Sequence, residues 1–206
     1  MVDLDKYKKI FREFAEDAEF IDENIKQLNL NKESKILDIG TGMGTMSTLL
    51  ALNCFSILTG EPKVDPERNG LGAHDHHHHQ EEHHGGASSS WKKSAKMLGV
   101  EEKIKFQYFN AQNLPFEDNS FDGIFLYDAL QHIQDRELAL NECLRVLNTK
   151  GVIVVIEWSK KQIEKDFKKY GFKIDYIDPQ DYINRKGISI KVSNGETINF
   201  YTIRKK

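Results

Sequence analysis

Apolar side chains occur along this chain in short runs that are separated by turn residues and by stretches of helical period. Short apolar or alternating runs are typical of β-strands, and a continuous β-branched run such as VIVVI is typical of a central strand buried on both faces. The pattern predicts strands over residues 36–39, 54–59, 103–109, 121–127, 152–156, 171–177, 188–192 and 197–203.

Between these strands, apolar residues recur at the three- and four-residue spacing of amphipathic helices. Predicted helices alternate with predicted strands, as they do in α/β folds. Asn194-Gly195 predicts a hairpin turn. Helices are predicted over residues 45–52, 88–98, 135–147 and 159–170, with one or two more over 4–30.

A glycine-rich stretch, KILDIGTGMG, joins the first predicted strand to a predicted helix, with glycines at Gly40, Gly42 and Gly44. Glycine tolerates a positive φ, and a helix start offers unpaired N–H groups, so a ligand can approach this backbone closely. Dinucleotides and S-adenosylmethionine both use such turns. The third glycine comes one residue early for G-x-G-x-x-G, and Asp38 would repel a pyrophosphate but suits a ligand that carries an ammonium group. A dinucleotide oxidoreductase is therefore disfavoured.

Two motifs resemble those of the class I S-adenosylmethionine-dependent methyltransferases of the small UbiE-like type. DIGTGMG resembles the family's glycine-rich first motif, and NAQNLPFEDNSFD resembles its D-A-x-x-L-P-F segment with the D-x-S-F-D signature that follows. The resemblance spans about residues 34–206. It implies a single-domain, Rossmann-like seven-stranded α/β fold, with a mostly parallel sheet and an antiparallel last strand. It also implies methyl transfer from S-adenosyl-L-methionine. Thr149-Lys150-Gly151 resembles the family's K-P-G-G turn without its proline, so a turn is expected before the strand at 152–156.

The resemblance also indicates which residues contact this cofactor. An acid at the end of the second strand accepts both ribose hydroxyls in the family, and Glu61 matches it by position; the alternative is a surface carboxylate at a turn. Asn110 stands where the family has an aspartate that accepts a bond from the adenine amino group, which an amide oxygen can also do. The expected cofactor-binding residues are Asp38, Gly40, Thr41, Gly42, Gly44, Glu61, Asn110, Ala111 and Tyr127.

The segment that follows the fourth strand and the N-terminal helices each allow two interpretations. Asp128 accepts a proton or holds a cationic substrate, or it caps the next helix, which we favour. His132 is either a base or a structural histidine, and we favour the second. Tyr7 and Phe11 are either lid residues over the cofactor or part of the core. No catalytic residue is assigned, because methyl transfer mainly requires alignment of the two reactants.

Seven of the eight histidines fall within HDHHHHQEEHH, in a stretch of little periodicity that follows Pro62. Imidazole is the commonest metal ligand, and His79 and His83 would face the same side of a helix. Two interpretations stay open: a site for a divalent metal such as Zn²⁺, Ni²⁺ or Cu²⁺, and a low-complexity insert with incidental affinity. The candidate metal ligands are His74, His76, His77, His78, His79, His83 and His84.

Composition is ordinary for a globular protein of 206 residues, with 30% charged and 39% hydrophobic residues and a net charge of −3. We predict one domain over residues 1–206, with a helical cover at 1–30 and a histidine-rich insertion loop at 62–87. Nucleic acid and membrane partners are not indicated, since the chain is weakly acidic and lacks a long apolar run. Cys54 and Cys143 are expected to be reduced core residues of a cytoplasmic protein.

These features favour a methyltransferase with a small-molecule acceptor, because the chain has no predicted recognition domain or basic groove. The main alternative is a metal-binding or metal-sensing protein built on a methyltransferase scaffold.

Overall fold

The computed structural model describes residues 3–63, 90–171 and 174–206. These residues form one seven-stranded sheet flanked by six α-helices. The strands are β1 (Lys35–Ile39), β2 (Ser56–Gly60), β3 (Ile104–Phe106), β4 (Phe121–Tyr127), β5 (Leu147–Trp158), β6 (Ile188–Asn194) and β7 (Ile198–Lys205). The helices are α1 (Leu4–Phe11), α2 (Ala18–Lys26), α3 (Thr45–Leu52), α4 (Ser90–Met97), α5 (Arg136–Val146) and α6 (Lys160–Tyr170).

The strand order in the sheet is β3-β2-β1-β4-β5-β7-β6. Strands β1 to β5 pair in parallel, whereas β7 is antiparallel to both β5 and β6. This architecture confirms the predicted mostly parallel α/β fold with an antiparallel last strand. Because β1 to β5 run in the same direction, their carboxyl ends meet at one edge, where α/β sheets bind their ligands.

Two apolar layers cover the two faces of the sheet. On one face, side chains of α1 to α4 pack in one cluster with Val154 and Phe200. On the other face, side chains of α5 pack in one cluster with Val155 and Tyr201. Residues 152–156 are buried on both faces, as the β-branched run predicts. Cys143 is buried in the second layer, but Cys54 is exposed, so its predicted place in the core was wrong.

The N-terminal helices pack across the first face. Tyr7 and Phe11 are each only 1% exposed, and the Tyr7 hydroxyl donates to the Thr45 carbonyl oxygen at the start of α3, at 2.9 Å. Asp17, before α2, accepts hydrogen bonds from the backbone N–H groups of Glu196 and Thr197 in the turn between β6 and β7. The beginning and the end of the described chain are therefore tied together.

The end of the chain shows where the predicted pattern succeeds and where it fails. The β6–β7 hairpin is confirmed, with Asn194 opposite Asn199. The strand predicted at 171–177 was wrong over its described part, because residues 174–177 are irregular and β6 occupies the free edge of β7; residues 172 and 173 lie outside the described residues. The turn predicted at 149–151 lies instead within β5, where the register with β4 shifts between Phe121 and Gly123.

No helix among the described residues is long and apolar enough to cross a membrane.

Candidate active site

The glycine turn links β1 to α3 at the carboxyl edge of the sheet. Gly40, Gly42 and Gly44 all have positive φ values, of 92°, 47° and 82°. The position that a Cβ atom would occupy at Gly42 has no described atom within 4 Å, so this part of the turn faces open space. At Gly40 the same position lies 2.9 Å from the Ala129 Cβ atom. The turn therefore needs glycine for its backbone conformation, and its Gly42 side is open to a ligand.

Gly44 also has a packing role. A Cβ atom there would lie 2.7 Å from the Cβ atom of Trp91 and 3.1 Å from its Cα atom. Glycine at this position lets α4 pack closely against the start of α3. The contact of Gly44 with the cofactor stays a prediction.

Asp38 lies in the interior of the sheet and is only 1% exposed. Its Oδ2 atom accepts from the Thr59 hydroxyl at 2.8 Å, and that hydroxyl is 2.9 Å from the Thr41 hydroxyl. Among the described residues, the buried Oδ1 atom has no hydrogen-bond partner. Burial raises the Asp38 pKa to about 7. A buried carboxylate oxygen without a partner is costly, and a ligand that donates a hydrogen bond would satisfy it.

Thr41 was expected to contact the cofactor, but its side chain is 3% exposed and is committed to Thr59. Only its backbone remains for a ligand.

Glu61 follows β2 directly, as expected for an acid at the end of the second strand. Its Oε2 atom accepts a hydrogen bond from the Gly42 N–H at 3.2 Å, so the carboxylate spans from β2 to the open part of the glycine turn. Burial raises the Glu61 pKa above its usual value, although the Gly42 N–H lowers it. Glu61 and the glycine turn therefore form one continuous polar surface.

Asn110 and Ala111 follow β3 at the same edge of the sheet. The backbone continues past Phe106 in ladder-like contact, because Gln107 N–H donates to Thr59 O at 3.0 Å and Phe109 N–H donates to Glu61 O at 3.1 Å. Asn110 is exposed, and its Oδ1 atom accepts from the Gln112 N–H at 2.9 Å. An amide oxygen has a second lone pair and the amide NH₂ group has two donors, so the exposed Asn110 can still recognise a ligand.

The end of β4 carries Tyr127 and Asp128, both half-buried. Asp128 has a φ of 50°, and its carboxylate accepts hydrogen bonds from the side chains of Gln131 and Trp158. Burial raises the pKa of Asp128 to about 6. The expected capping role of Asp128 was wrong, because the 3₁₀ turn Leu130–His132 is preceded by Ala129 and has no side-chain cap. His132 lies exposed on that turn.

Glu157, the last residue but one of β5, lies beside Asp128 and is 2% exposed. Its Oε1 atom accepts from the Leu130 N–H at 2.8 Å, and the Gln131 N–H also donates to this carboxylate. Burial, followed by repulsion from Asp128, raises the pKa of Glu157 to about 8. The half-buried carboxyl groups of Glu61 and Asp128 give this edge an acidic character that favours a cationic ligand.

Folding stability is expected to decrease as the pH rises through the pKa of Glu157. The folded-state pKa is raised, so the folded protein keeps a proton that the unfolded chain releases above about pH 4.5. The stabilisation is full below that pH and is lost as the pH passes about 8. Urea unfolding of the ligand-free protein at pH 6, 7.5 and 9 measures the effect. We expect the free energy of unfolding of Glu157→Gln to decrease over this pH range by more than about 1 kcal/mol less than that of wild-type protein. If the free energy of unfolding changed with pH equally in the two proteins, the raised pKa would not belong to Glu157.

The seven candidate metal ligands, His74, His76, His77, His78, His79, His83 and His84, lie outside the described residues. Within the described ranges, there is no group of three or more histidine, cysteine or acidic residues that could hold a metal ion.

Some residues of the site were not predicted. Thr59 binds Asp38, and Glu157 holds the 3₁₀ turn after β4. The register explains Thr59, because it lies opposite Asp38 in the β1–β2 pair. A polar residue in an otherwise apolar strand was the available signal for it. Glu157 lies 27 residues from its partner Leu130, and local pattern cannot reveal a contact over that separation.

Comparison with known proteins gives consistent results. The family model that describes the methyltransferase domain matches residues 37–155. A ubiquinone/menaquinone biosynthesis C-methyltransferase of Rickettsia prowazekii is 34% identical over 163 residues, which cover 74% of this chain and 56% of that protein. The norajmaline N-methyltransferase of Rauvolfia serpentina is 33% identical over 69 residues, covering 34% of this chain and 24% of that enzyme. The chain thus spans little more than half of the first relative and less of the second.

Among solved structures, a putative S-adenosyl-L-methionine-dependent methyltransferase of Methanococcus maripaludis superposes with a TM-score of 0.64 at 20% identity. The superposition covers 98% of this chain and 92% of that one, which shows a shared fold.

Proposed function

This chain belongs to the class I S-adenosylmethionine-dependent methyltransferases, and we propose that it transfers the cofactor's methyl group to a small-molecule acceptor. The observation that carries the proposal is the contact between Glu61 Oε2 and the Gly42 N–H, 3.2 Å long, beside the open glycine turn. It brings a ribose-binding carboxylate and a bare stretch of backbone to one place. The acidic edge supports a sulfonium cofactor over a pyrophosphate-containing one.

The described residues fit the cofactor. The unpartnered Oδ1 atom of Asp38 suits an ammonium donor, and Gly42 leaves room for close approach of a ligand. We assign the methionine part to Asp38 and to the backbone of residues 40–42, and the ribose hydroxyls to Glu61. Asn110 and Ala111 would contact the adenine, and Tyr127 would lie on the sulfonium side.

When bound, the cofactor supplies a methyl group that is activated by the sulfonium centre. The residues of this chain would then bind, orient and exclude water, which such a displacement chiefly requires. Asp128, at the tip of β4, has a pKa of about 6 because of its burial, so it can hold a proton or a cation near neutral pH. Its partners Gln131 and Trp158 fix the carboxylate in place.

We also propose that residues 1–206 form one domain in which α1 and α2 cover the cofactor site. Tyr7 supports this placement, because its pKa is raised by burial and by the nearby Tyr127 and Asp38. Its hydroxyl is bound to Thr45 O at the start of α3, next to the glycine turn.

The proposal of a small-molecule acceptor draws support from the two relatives, which are methyltransferases of quinone biosynthesis and of norajmaline. It is tested by incubation of the purified protein with methyl-labelled S-adenosylmethionine and a panel of small phenols, quinones and amines. Label transfer to one class, with formation of S-adenosylhomocysteine, is the expected result. Transfer only to protein or nucleic acid substrates would contradict the proposal.

The histidine-rich segment supplies a separate hypothesis, in which the chain binds a divalent metal such as Zn²⁺, Ni²⁺ or Cu²⁺. It is supported by the sequence alone, through the density of imidazoles between His74 and His84. Parallel calorimetric titrations with S-adenosylmethionine and with Ni²⁺ distinguish the roles. Tight metal binding without cofactor binding would favour a metal sensor on a methyltransferase scaffold, whereas cofactor binding alone would make the metal affinity incidental.

A further inference from the structure

The loop between β3 and β4 is fastened to α5 by one arginine. Arg145, in the last turn of α5, donates from Nη1 to the Phe116 carbonyl oxygen at 2.8 Å and from Nη2 to the Leu114 carbonyl oxygen at 3.0 Å. Nη1 also contacts Asp118 Oδ1 at 2.9 Å. The guanidinium thus binds three successive points of the segment that leads from Ala111 to β4.

Glu142 completes the attachment. Its two carboxylate oxygens accept from Arg145 Nε and Nη2, each at 2.7 Å, in a bidentate pair. The Oε2 atom also accepts from the Leu114 N–H at 2.9 Å. Leu114 is 3% exposed, and both of its backbone polar groups are therefore satisfied by this ion pair.

The Arg145–Glu142 pair has a geometry that fixes the position of the loop between β3 and β4. An arginine fork matched to a carboxylate has a defined plane, and hydrogen bonds that involve charged groups are about twice as strong as neutral ones. The contacts with Glu142 and Asp118 raise the pKa of Arg145, and Arg145 lowers the pKa of Glu142, so both groups stay ionised. The exposed Asp118 contact adds little, since exposed ion pairs contribute little.

The same loop is tied to the other end of α5. The N–H of Asp135, the residue that caps α5, donates to Gln112 Oε1 at 3.2 Å. Asn110 and Ala111 therefore precede a segment that is held at Gln112, Leu114 and Phe116.

We propose that Arg145 and Glu142 are positioning residues that hold Asn110 and Ala111 in place for recognition of the adenine ring. The inference rests on the proposed function, because it assigns the adenine to those two residues. Arg145 and Glu142 do not reach the ligand themselves; they act through the backbone of Leu114 and Phe116. If this loop were free to shift, the protein would still bind the ribose through Glu61, but Asn110 and Ala111 would recognise the adenine less well.

The test compares affinities for S-adenosylhomocysteine and for S-inosylhomocysteine, in which an oxygen replaces the adenine amino group. Wild-type protein is expected to prefer the adenosyl compound. For Arg145→Gln, we expect adenosyl affinity to fall about 10-fold and the preference to shrink by a similar factor, because the hydrogen bond from the amino group is lost. Arg145→Lys, which keeps the charge but not the fork, should recover only part of the preference.

Arg204→Gln is the matched control. Arg204 also donates to backbone carbonyl oxygens, those of Leu28 at 2.9 Å and Gly151 at 3.4 Å, which precede β1 and lie within β5. Its loss should lower folding stability in urea without changing the preference between the two nucleosides.

The outcomes separate the two proposals. If wild-type protein binds neither compound, the proposed function fails. If it binds and discriminates while Arg145→Gln discriminates equally well, the positioning role is overturned and the proposed function stands. Should Arg145→Gln fail to fold, Glu142→Gln carries the test, because its amide oxygen can still accept from the Leu114 N–H. An unchanged preference in that variant overturns the positioning role.

Discussion

Replacement of Glu61 by alanine is expected to weaken the binding of S-adenosylmethionine by about 100-fold or more. A carboxylate that accepts both ribose hydroxyls makes two charge-assisted hydrogen bonds, each contributing about 1.5–3 kcal/mol. Their loss corresponds to at least two factors of ten, since about 1.4 kcal/mol is one factor of ten. The Gly42 N–H would also lose the acceptor that it has at 3.2 Å. Isothermal titration calorimetry with S-adenosylmethionine measures the effect directly.

The fold should tolerate this change, because Glu61 is half-buried beyond the end of β2. We therefore expect little change in the urea midpoint of Glu61→Ala. Glu33→Ala serves as a control, since that side chain is 82% exposed and precedes β1 at the opposite edge of the sheet. Equal cofactor affinity in Glu61→Ala and wild-type protein would remove Glu61 from the site.

Replacement of Gly60 by alanine is expected to destabilise the fold by at least about 3 kcal/mol, the upper part of the range for overpacking. The added Cβ atom would lie 2.0 Å from the Gln107 carbonyl oxygen and 2.4 Å from the Phe109 ring. The first of these neighbours is backbone that is itself hydrogen-bonded along β2, because Gln107 N–H donates to Thr59 O. Relief of the clash would require the end of β2 to separate from the segment after β3.

Gly99→Ala is the control for this prediction. Gly99 has a φ of 72°, but no described atom lies within 4 Å of its Cβ position, so only the backbone term of about 1–2 kcal/mol applies. Urea unfolding of both variants measures the difference. If Gly60→Ala were no less stable than Gly99→Ala, the close packing between β2 and the segment after β3 would be wrong.

Elements whose periodicity is set by burial were predicted well. The helix at Thr45–Leu52 and the strand at Phe121–Tyr127 have the predicted bounds. In both cases local chemistry decides: glycines precede α3, and an apolar run bounded by polar residues forms β4. The central position of residues 152–156 follows from their β-branched side chains, which suit a strand covered on both faces.

Predictions failed where tertiary pairing competes with local pattern. Residues 171–177 alternate like a strand, but the place beside β7 is taken by β6, which pairs with it over seven residues. Residues 149–151 look like a turn, yet they belong to β5, whose register shift absorbs them. Neither competition is visible in a single segment.

The same division applies to the site. Glu61 and the glycine turn could be placed beforehand, because parallel strands bring their carboxyl ends to one edge. The inward orientation of Thr41, the contact of Asp128 with Trp158 and the attachment by Arg145 could not. Each depends on a contact between elements far apart in the chain, such as the 31 residues that separate Leu114 from Arg145.

The measurement that tests the account most directly is a calorimetric titration of wild-type protein and Gly42→Leu with S-adenosylmethionine, and of wild-type protein with NAD. Gly42 faces open space, so a leucine there should fold with a cost of about 1–2 kcal/mol while its side chain fills the ligand's place. We predict binding of S-adenosylmethionine to wild-type protein, no binding of NAD, and loss of binding in the folded variant. Undiminished binding by Gly42→Leu, or binding of NAD in place of S-adenosylmethionine, would contradict the account.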